Sequence, residues 1–349
     1  MEIKKSKLKW PHVGNAHVTE YLERLLANKH NEKASQLTGT FIFNGPEDLG
    51  KTTVANYFAK SLLCQATDGA DDCECESCKF FSALDMGHEI AHGDCHIVKK
   101  DIEKKNISVE QVRDLINVLN MSSFLNSFKI GIIKDADMLG EKAANALLKT
   151  LEEPKKNVII ILITNDLDAI PLTIKSRAKV MNFWPVPVDT IYDHLLNVGK
   201  AKRDEAKIIS RMSLGRPALA MKLLQDKGYY NKYINQIELF LNFIDQDINE
   251  RLQAVSDFIG TKKVDQDDVR EAKKILEIWE GVARDCFLFK YSNNFLIQNG
   301  EFETQIKKFM MARTSADIIK LLKNIKIAKN YLVANVNFKT VIESVAVQV

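Results

Sequence analysis

A short glycine-containing segment has the residue types and spacing of a loop that binds phosphate. After Gly45 and four further residues, the chain continues with Gly50, Lys51, Thr52 and Thr53, and this is the G-x-x-x-x-G-K-T pattern. Glycines let the backbone curl so that its N–H groups face a phosphate, and the positive end of a following helix adds to the attraction. In such a loop the lysine reaches the β- and γ-phosphates and the first threonine offers its hydroxyl to Mg²⁺. The segment is therefore a candidate nucleotide site.

The elements around this segment are those that a phosphate loop requires. The apolar residues Phe41–Phe43 precede it and indicate a buried strand, while residues 54–63 follow it with helical spacing. A chance match in an ordinary turn would have neither neighbour. The flanking strand and helix therefore favour a functional loop over coincidence.

Four of the six cysteines crowd into fifteen residues directly after the phosphate-loop helix. Their spacing is C-x8-C-x-C-x2-C, formed by Cys64, Cys73, Cys75 and Cys78. Four thiolates suffice to close a tetrahedral Zn²⁺ shell, which would order a loop with little hydrophobic content. Reduced surface thiols are the alternative, and the step from Cys73 to Cys75 is tighter than is usual for zinc. We expect a zinc site.

A second apolar strand, Phe128–Ile133, ends at charged residues. In a phosphate-loop ATPase one Asp at this place helps to hold Mg²⁺, and a following acid orients the attacking water. The first of these positions is Lys134 in this chain, and acids follow at Asp135 and Asp137. Asp135 is the acidic residue that we assign to the predicted nucleotide site.

Length and composition predict a chain of two or three domains without a membrane span. The 349 residues carry a net charge of +3, from 49 basic and 46 acidic residues. This near balance gives no overall electrostatic case for binding nucleic acid. The basic N-terminus lacks the apolar core of a signal peptide, and the longest apolar run, Val158–Ile163, is too short to span a bilayer. We expect a cytoplasmic protein.

Strands and helices alternate up to about residue 184, which predicts a parallel sheet with helices on both faces. The two prolines of Trp184–Pro187 mark a boundary. Residues 188–226 indicate three short helices, and residues 231–349 show almost only helical periodicity.

Two further segments carry a family resemblance. The run Ala143–Pro154, with the sequence AANALLKTLEEP, and the run Thr173–Arg177, with the sequence TIKSR, resemble bacterial replicative clamp loader subunits of DNA polymerase III. The cysteine cluster behind the phosphate-loop helix is similar to the zinc module of that family. The resemblance covers residues 10–225 well and is weaker beyond them.

The resemblance implies an architecture and a set of partners. Residues 1–185 would form an AAA+ nucleotide-binding domain with a zinc module at about 64–78, residues 186–230 a three-helix lid, and residues 231–349 a helical collar for oligomerisation. The chain would join gamma/tau and delta subunits in a hetero-pentameric ring. That ring opens the sliding clamp and places it on primed DNA, and no membrane partner is expected.

The same resemblance assigns a catalytic role to one residue. The interface arginine of the family falls on Arg177, which would complete the ATP site of a neighbouring subunit in trans. A surface salt bridge is the alternative role for this side chain. The cysteine that follows this arginine in the family is Ala178 here.

Several residues differ from the family pattern, and these differences distinguish between two possible functions. A loop glycine of the family is Asp48 here, the Mg²⁺-linked carboxylate is Lys134, and the lid arginine falls on Ala218, with Arg216 nearby. These changes predict a delta-prime-like subunit with weak or absent ATP hydrolysis. The alternative is a gamma/tau-like motor in which Asp135 or Asp137 supplies the missing acid. A small-molecule kinase fits poorly, because the long helical tail would have no role.

Overall fold

A computed structural model describes residues 9–27, 29, 38–66, 73–84, 92–101, 106–124, 128–259, 266–291, 296–334 and 336–349. The chain divides into two compact units. The first comprises Met1–Thr190 and Arg216–Ala218, and the second comprises Ile191–Gly215 and Leu219–Val349.

A parallel five-stranded sheet organises the described part of the first unit, as the sequence predicts. Its strands are β1 (Gly39–Asn44), β2 (Cys95–Val98), β3 (Lys129–Ile133), β4 (Val158–Thr164) and β5 (Ala178–Asn182). They lie in the order β2-β3-β4-β1-β5, so that β1 is flanked by β4 and β5. Every residue of β4 is buried, which explains why its sequence is one continuous apolar run instead of an alternating one.

Helices cover both faces of this sheet. They are α1 (Ala16–Ala27), α2 (Lys51–Leu63), α3 (Glu76–Leu84), α4 (Val109–Leu119), α5 (Glu141–Glu152) and α6 (Leu172–Lys175). Because side chains alternate along a strand, Phe41 and Phe43 of β1 pack in one apolar core, with residues of α1 and α2. Ile42 packs in the other core, with residues of α4 and α5.

Local sequence signals set the start of α4. The hydroxyl of Ser108 accepts a hydrogen bond from the backbone N–H of Gln111, and the Gln111 side chain accepts one from the backbone N–H of Ser108. This reciprocal capping box satisfies two N–H groups that a helix start would leave unpaired. Ser108 followed three residues later by Gln111 is the sequence signature of such a box.

The described residues from 188 onward form helices. They are α7 (Val188–Asn197), α8 (Arg203–Met212), α9 (Pro217–Gln225), α10 (Lys227–Asn242), α11 (Ile248–Ile259), α12 (Gln266–Lys290), α13 (Glu303–Met311), α14 (Ser315–Val333) and α15 (Phe338–Ala346). In the second unit the indole of Trp279 is fully buried among aromatic rings and donates a hydrogen bond to the carbonyl of Gln236 (3.1 Å).

The second unit contains most of the residues that the sequence divides between a lid and a collar. The predicted boundary at residue 230 falls inside α10, which begins at Lys227 because the Asp226 carboxylate caps it by accepting a hydrogen bond from Tyr229 N (2.9 Å). Among the described helices, none has the length and apolar character that crossing a membrane requires.

Candidate nucleotide and metal sites

The phosphate loop joins the end of β1 to the start of α2. Gly45 has a φ of 147°, and a Cβ placed on it would lie 2.4 Å from the carbonyl oxygen of Phe183. Gly50 has a φ of 83°, and its Cβ would lie 2.4 Å from Nδ1 of His12. Both positions therefore require glycine. Asp48 also has a positive φ, 61°, at the place where the family has a glycine.

Lys51 is bound by the loop to which it belongs. Its side chain is 5% exposed, and Nζ donates hydrogen bonds to the carbonyls of Gly45 and Pro46 (2.5 Å to Pro46) and to Oδ1 of Asn165 (3.0 Å). Burial lowers the pKa of Lys51 to about 8, although Glu47 and other nearby acids raise it in part. A bound phosphate would have to replace these carbonyl contacts.

Asn165 connects the loop to the acidic segment that follows β3. Its Oδ1 accepts from Lys51, and its amide nitrogen donates to Oε1 of Glu47 (3.5 Å). Its backbone N–H donates to Oδ1 of Asp137 (3.3 Å), which also accepts from the hydroxyl of Thr164 (3.0 Å). The sequence indicates Asp137 only as an alternative acid for a motor subunit, and it does not indicate Asn165. The available signal was their position, since the carboxyl ends of adjacent parallel strands share one edge of the sheet.

The remaining predicted nucleotide residues lie around this centre. Thr52 and Thr53 form the first turn of α2, Thr52 half-buried and Thr53 exposed. Asp135 has a φ of 52° and precedes the short 3-10 helix Ala136–Met138. Asp135 and Asp137 are both among the acids that act electrostatically on Lys51. The carboxylate of Asp137 is held next to the loop by the hydrogen bonds that it accepts from Thr164 and Asn165.

The backbone of Asp48 has a partner from a distant part of the sequence. Its carbonyl accepts a hydrogen bond from the N–H of Ala218 (3.0 Å). Residues Arg216–Ala218 belong to the same unit as the phosphate loop. Ala218, where the resemblance places the lid arginine, thus contacts the phosphate loop through the backbone N–H of Ala218.

Arg177 is placed just before β5, at the surface. Its guanidinium forms an ion pair with Glu152 (2.8 Å) and donates hydrogen bonds to the Thr173 carbonyl (3.0 Å) and the Ser176 hydroxyl (3.2 Å). About a third of the side chain, 36%, remains exposed. The surface salt bridge is therefore present, and the guanidinium is held in one direction while accessible to a neighbouring molecule.

The structure brings the four predicted metal ligands together. The sulfur atoms of Cys64, Cys73, Cys75 and Cys78 all lie within 4.8 Å of one another. Zinc bound tetrahedrally at about 2.3 Å would place the sulfurs about 3.8 Å apart. The cluster thus fits a four-thiolate metal site after a small contraction.

The pKa values of three of the thiols, those of Cys64, Cys75 and Cys78, are shifted in different directions. Burial raises the pKa of Cys64 and Cys78. Burial also acts to raise the pKa of Cys75, but hydrogen bonds from the backbone N–H groups of Gln65 and Cys78 and with the thiols of Cys73 and Cys78 outweigh it and lower that pKa to about 6. A divalent cation would favour the thiolate form of all four, because metal coordination deprotonates thiols.

The chain is similar to DNA polymerase III subunits of two kinds. A family model described as DNA polymerase III, delta subunit, matches residues 17–187. The tau subunit of Bacillus subtilis is 27% identical over 295 residues, which are 80% of this chain and 49% of that protein. The delta' subunit of Haemophilus influenzae is 32% identical over 195 residues, 56% of this chain and 57% of that protein. The chain thus spans about half the length of these relatives.

A solved structure supports the fold. A gamma subunit-related protein of DNA polymerase III from Thermotoga maritima superimposes with a TM-score of 0.51 at 18% identity, covering 94% of this chain and 96% of that one. The fold of this chain, a parallel sheet followed by a helical C-terminal region, is therefore a known one. Through residues 17–187, this chain belongs to the family of DNA polymerase III clamp loader subunits.

Proposed function

We propose that this chain is a delta-prime-like, non-motor subunit of the DNA polymerase III clamp loader. In this role it joins gamma/tau and delta subunits in a hetero-pentameric ring, which places the sliding clamp on primed DNA. The relatives do not choose between the two kinds of subunit, because delta' and gamma/tau proteins match at 27% to 33% identity. The choice rests on the residues of the nucleotide site.

One observation supports a non-motor role above others: the charges of the site differ from what ATP hydrolysis requires. Lys134 stands where a carboxylate would help to hold Mg²⁺, and Asp48 brings a carboxylate into the loop itself. Hydrolysis depends on a cation that neutralises the charge developing on the phosphates. We infer that the loop binds ATP with Lys51, Thr52 and the helix N-terminus, and that turnover is weak or absent.

A specific observation favours the alternative, a gamma/tau-like motor. The Asp137 carboxylate is fixed by Thr164 and Asn165 beside Lys51. An acid held there could replace the one missing at Lys134. In that case the chain hydrolyses ATP, and Asp137 is essential for turnover.

The two functions are separated by measuring nucleotide binding and hydrolysis on the same samples. Calorimetry with ATP and Mg²⁺, and a steady-state ATPase assay, are made on the chain alone and in the assembled ring. A non-motor subunit binds ATP through Lys51 without significant turnover. Robust turnover by the chain alone, abolished by Lys51→Ala and by Asp137→Asn but not by the exposed control Asp168→Asn, would establish the motor instead.

We also propose that the four cysteines hold one Zn²⁺. The chemistry of the donor set supports this, since four thiolates suit zinc. Zinc would supply a structural cross-link between the C-terminal end of α2 and the N-terminal part of α3. Metal analysis of protein purified without chelator tests the assignment.

A further inference from the structure

Lys29 lies beside the cysteine cluster, at the C-terminal end of α2. Its ammonium group donates hydrogen bonds to the carbonyl oxygens of Ser61 (3.2 Å) and Cys64 (2.6 Å). The ammonium also interacts electrostatically with Cys64, Cys75 and Cys78. A single half-buried cation is thus in direct contact with one predicted ligand residue and in electrostatic range of two others.

Two sources of negative charge meet at this ammonium. A divalent ion bound by four thiolates leaves the site with a formal charge of about −2. The C-terminal carbonyl groups of α2 add a partial negative charge. Because Cys64 and Cys78 are buried, solvent screens this charge poorly, and an uncompensated charge there would be costly.

We propose that Lys29 is a positioning residue of the metal site, which offsets the charge of the four thiolates and thereby tightens binding of a divalent cation. The inference rests on the proposed zinc site and adds a residue that the cysteine spacing does not reveal. The competing explanation is a simple helix cap, in which Lys29 satisfies the last carbonyls of α2 and does not affect the metal.

The first experiment measures zinc affinity in the full chain by competition with a chromogenic chelator. Lys29→Gln keeps an N–H donor for the two carbonyls but removes the charge, whereas Lys29→Arg keeps the charge. Lys60→Gln is the matched control, because Lys60 is the basic residue in the last turn of α2. We expect Lys29→Gln to weaken zinc binding by about tenfold or more. Lys29→Arg should stay within about threefold of the wild type and Lys60→Gln should equal it.

Salt separates the charge effect from a capping effect. A charge offset weakens as ionic strength rises, but less at a half-buried group than at an exposed one, so the difference between wild type and Lys29→Gln should shrink modestly in about 1 M salt. A second measurement compares melting temperatures with and without zinc. A charge role predicts that Lys29→Gln destabilises the zinc-loaded protein more than the chelated one, whereas a cap predicts equal losses.

The outcomes bear on distinct claims. Zinc bound by the wild type with unchanged affinity in Lys29→Gln would overturn the role of Lys29 and leave the metal site standing. Equal losses of stability with and without zinc would do the same. A wild-type chain without bound zinc, and unable to take it up, would overturn the metal site and this inference together.

Discussion

The side-chain oxygen of Asn165 accepts a hydrogen bond from Nζ of Lys51 at 3.0 Å, and this contact joins the end of β4 to the phosphate loop. It holds the buried lysine that would face the phosphates in the proposed nucleotide site. The pKa of that lysine is lowered by burial to about 8, so the proposed nucleotide binding is expected to depend on pH in a range where an ordinary lysine would not titrate.

ATP affinity should therefore fall as pH rises through about 8. Phosphate binds the ammonium form, and above the lowered pKa the free protein is increasingly neutral at Lys51. We expect Kd for ATP to rise by about tenfold per pH unit above pH 8. Calorimetry between about pH 7.5 and pH 9.5 measures this. Lys51→Arg stays charged throughout, so its Kd should change little with pH; an equal slope in both proteins would contradict the assignment.

Replacing Asp48 by glycine should tighten nucleotide binding. Asp48→Gly relieves a positive φ of 61° and removes a carboxylate from the phosphate site. We expect affinity for ATP to rise by about threefold to tenfold, since a like charge near the surface costs on the order of 1 kcal/mol. Asp48→Asn tolerates the same backbone conformation and lacks the charge, so it should account for most of the gain. No gain in either variant would show that the carboxylate points away from the phosphates.

Arg177→Ala should lower the ATPase of the reconstituted clamp loader without preventing assembly. A finger arginine contributes about 10³-fold or more to phosphoryl transfer in the site that it completes, so the neighbouring site should become almost inactive. The matched variant Glu152→Gln removes the ion pair at 2.8 Å but keeps the arginine. Because exposed ion pairs contribute little, we expect it to change the rate by about twofold. Unchanged ATPase in Arg177→Ala would refute a catalytic role in trans.

Removing one cysteine of the cluster should release the metal. We expect one zinc per wild-type chain and less than about a fifth of that in Cys78→Ser, with a lower melting temperature, because a structural zinc site contributes directly to folding. Metal analysis and thermal unfolding check both effects. Cys286→Ala is the control, since Cys286 is also buried but lies in α12; a loss of zinc in this variant would point to general unfolding.

Gly45→Ala should destabilise the protein more than Gly39→Ala. Both glycines have a large positive φ, 147° and 140°. Only at Gly45 would the added Cβ meet a backbone atom, the Phe183 carbonyl oxygen at 2.4 Å, whereas nothing lies within 4 Å of it at Gly39. The strained φ alone costs about 1–3 kcal/mol. The difference between the urea unfolding midpoints of Gly45→Ala and Gly39→Ala measures the effect of the additional clash. Equal midpoints would show that the loop shifts to accommodate the added Cβ without loss of stability.

The local features of this chain follow from the sequence itself. The spacing of Gly45, Gly50 and Lys51 fixes a phosphate loop, since the backbone conformation depends on residues adjacent in the chain. The capping box of Ser108 and Gln111 sets a helix start for the same reason. Apolar runs predict the parallel sheet, because a strand buried on both faces needs no polar residue.

Contacts between distant segments were decided by the tertiary structure. Asn165 meets Lys51 because β4 pairs with β1; the position of Asn165 after a strand indicates only the edge of the sheet, and the pairing of the strands decides its partner. Likewise the four-cysteine cluster was predicted from spacing, whereas Lys29 donates a hydrogen bond to the carbonyl of Cys64 across 35 residues of sequence. The sequence by itself predicted which residues are candidates to bind phosphate and metal. The packing of strand on strand and helix on helix decided which charges surround them, since electrostatic neighbours depend on distance in space and not on separation along the chain.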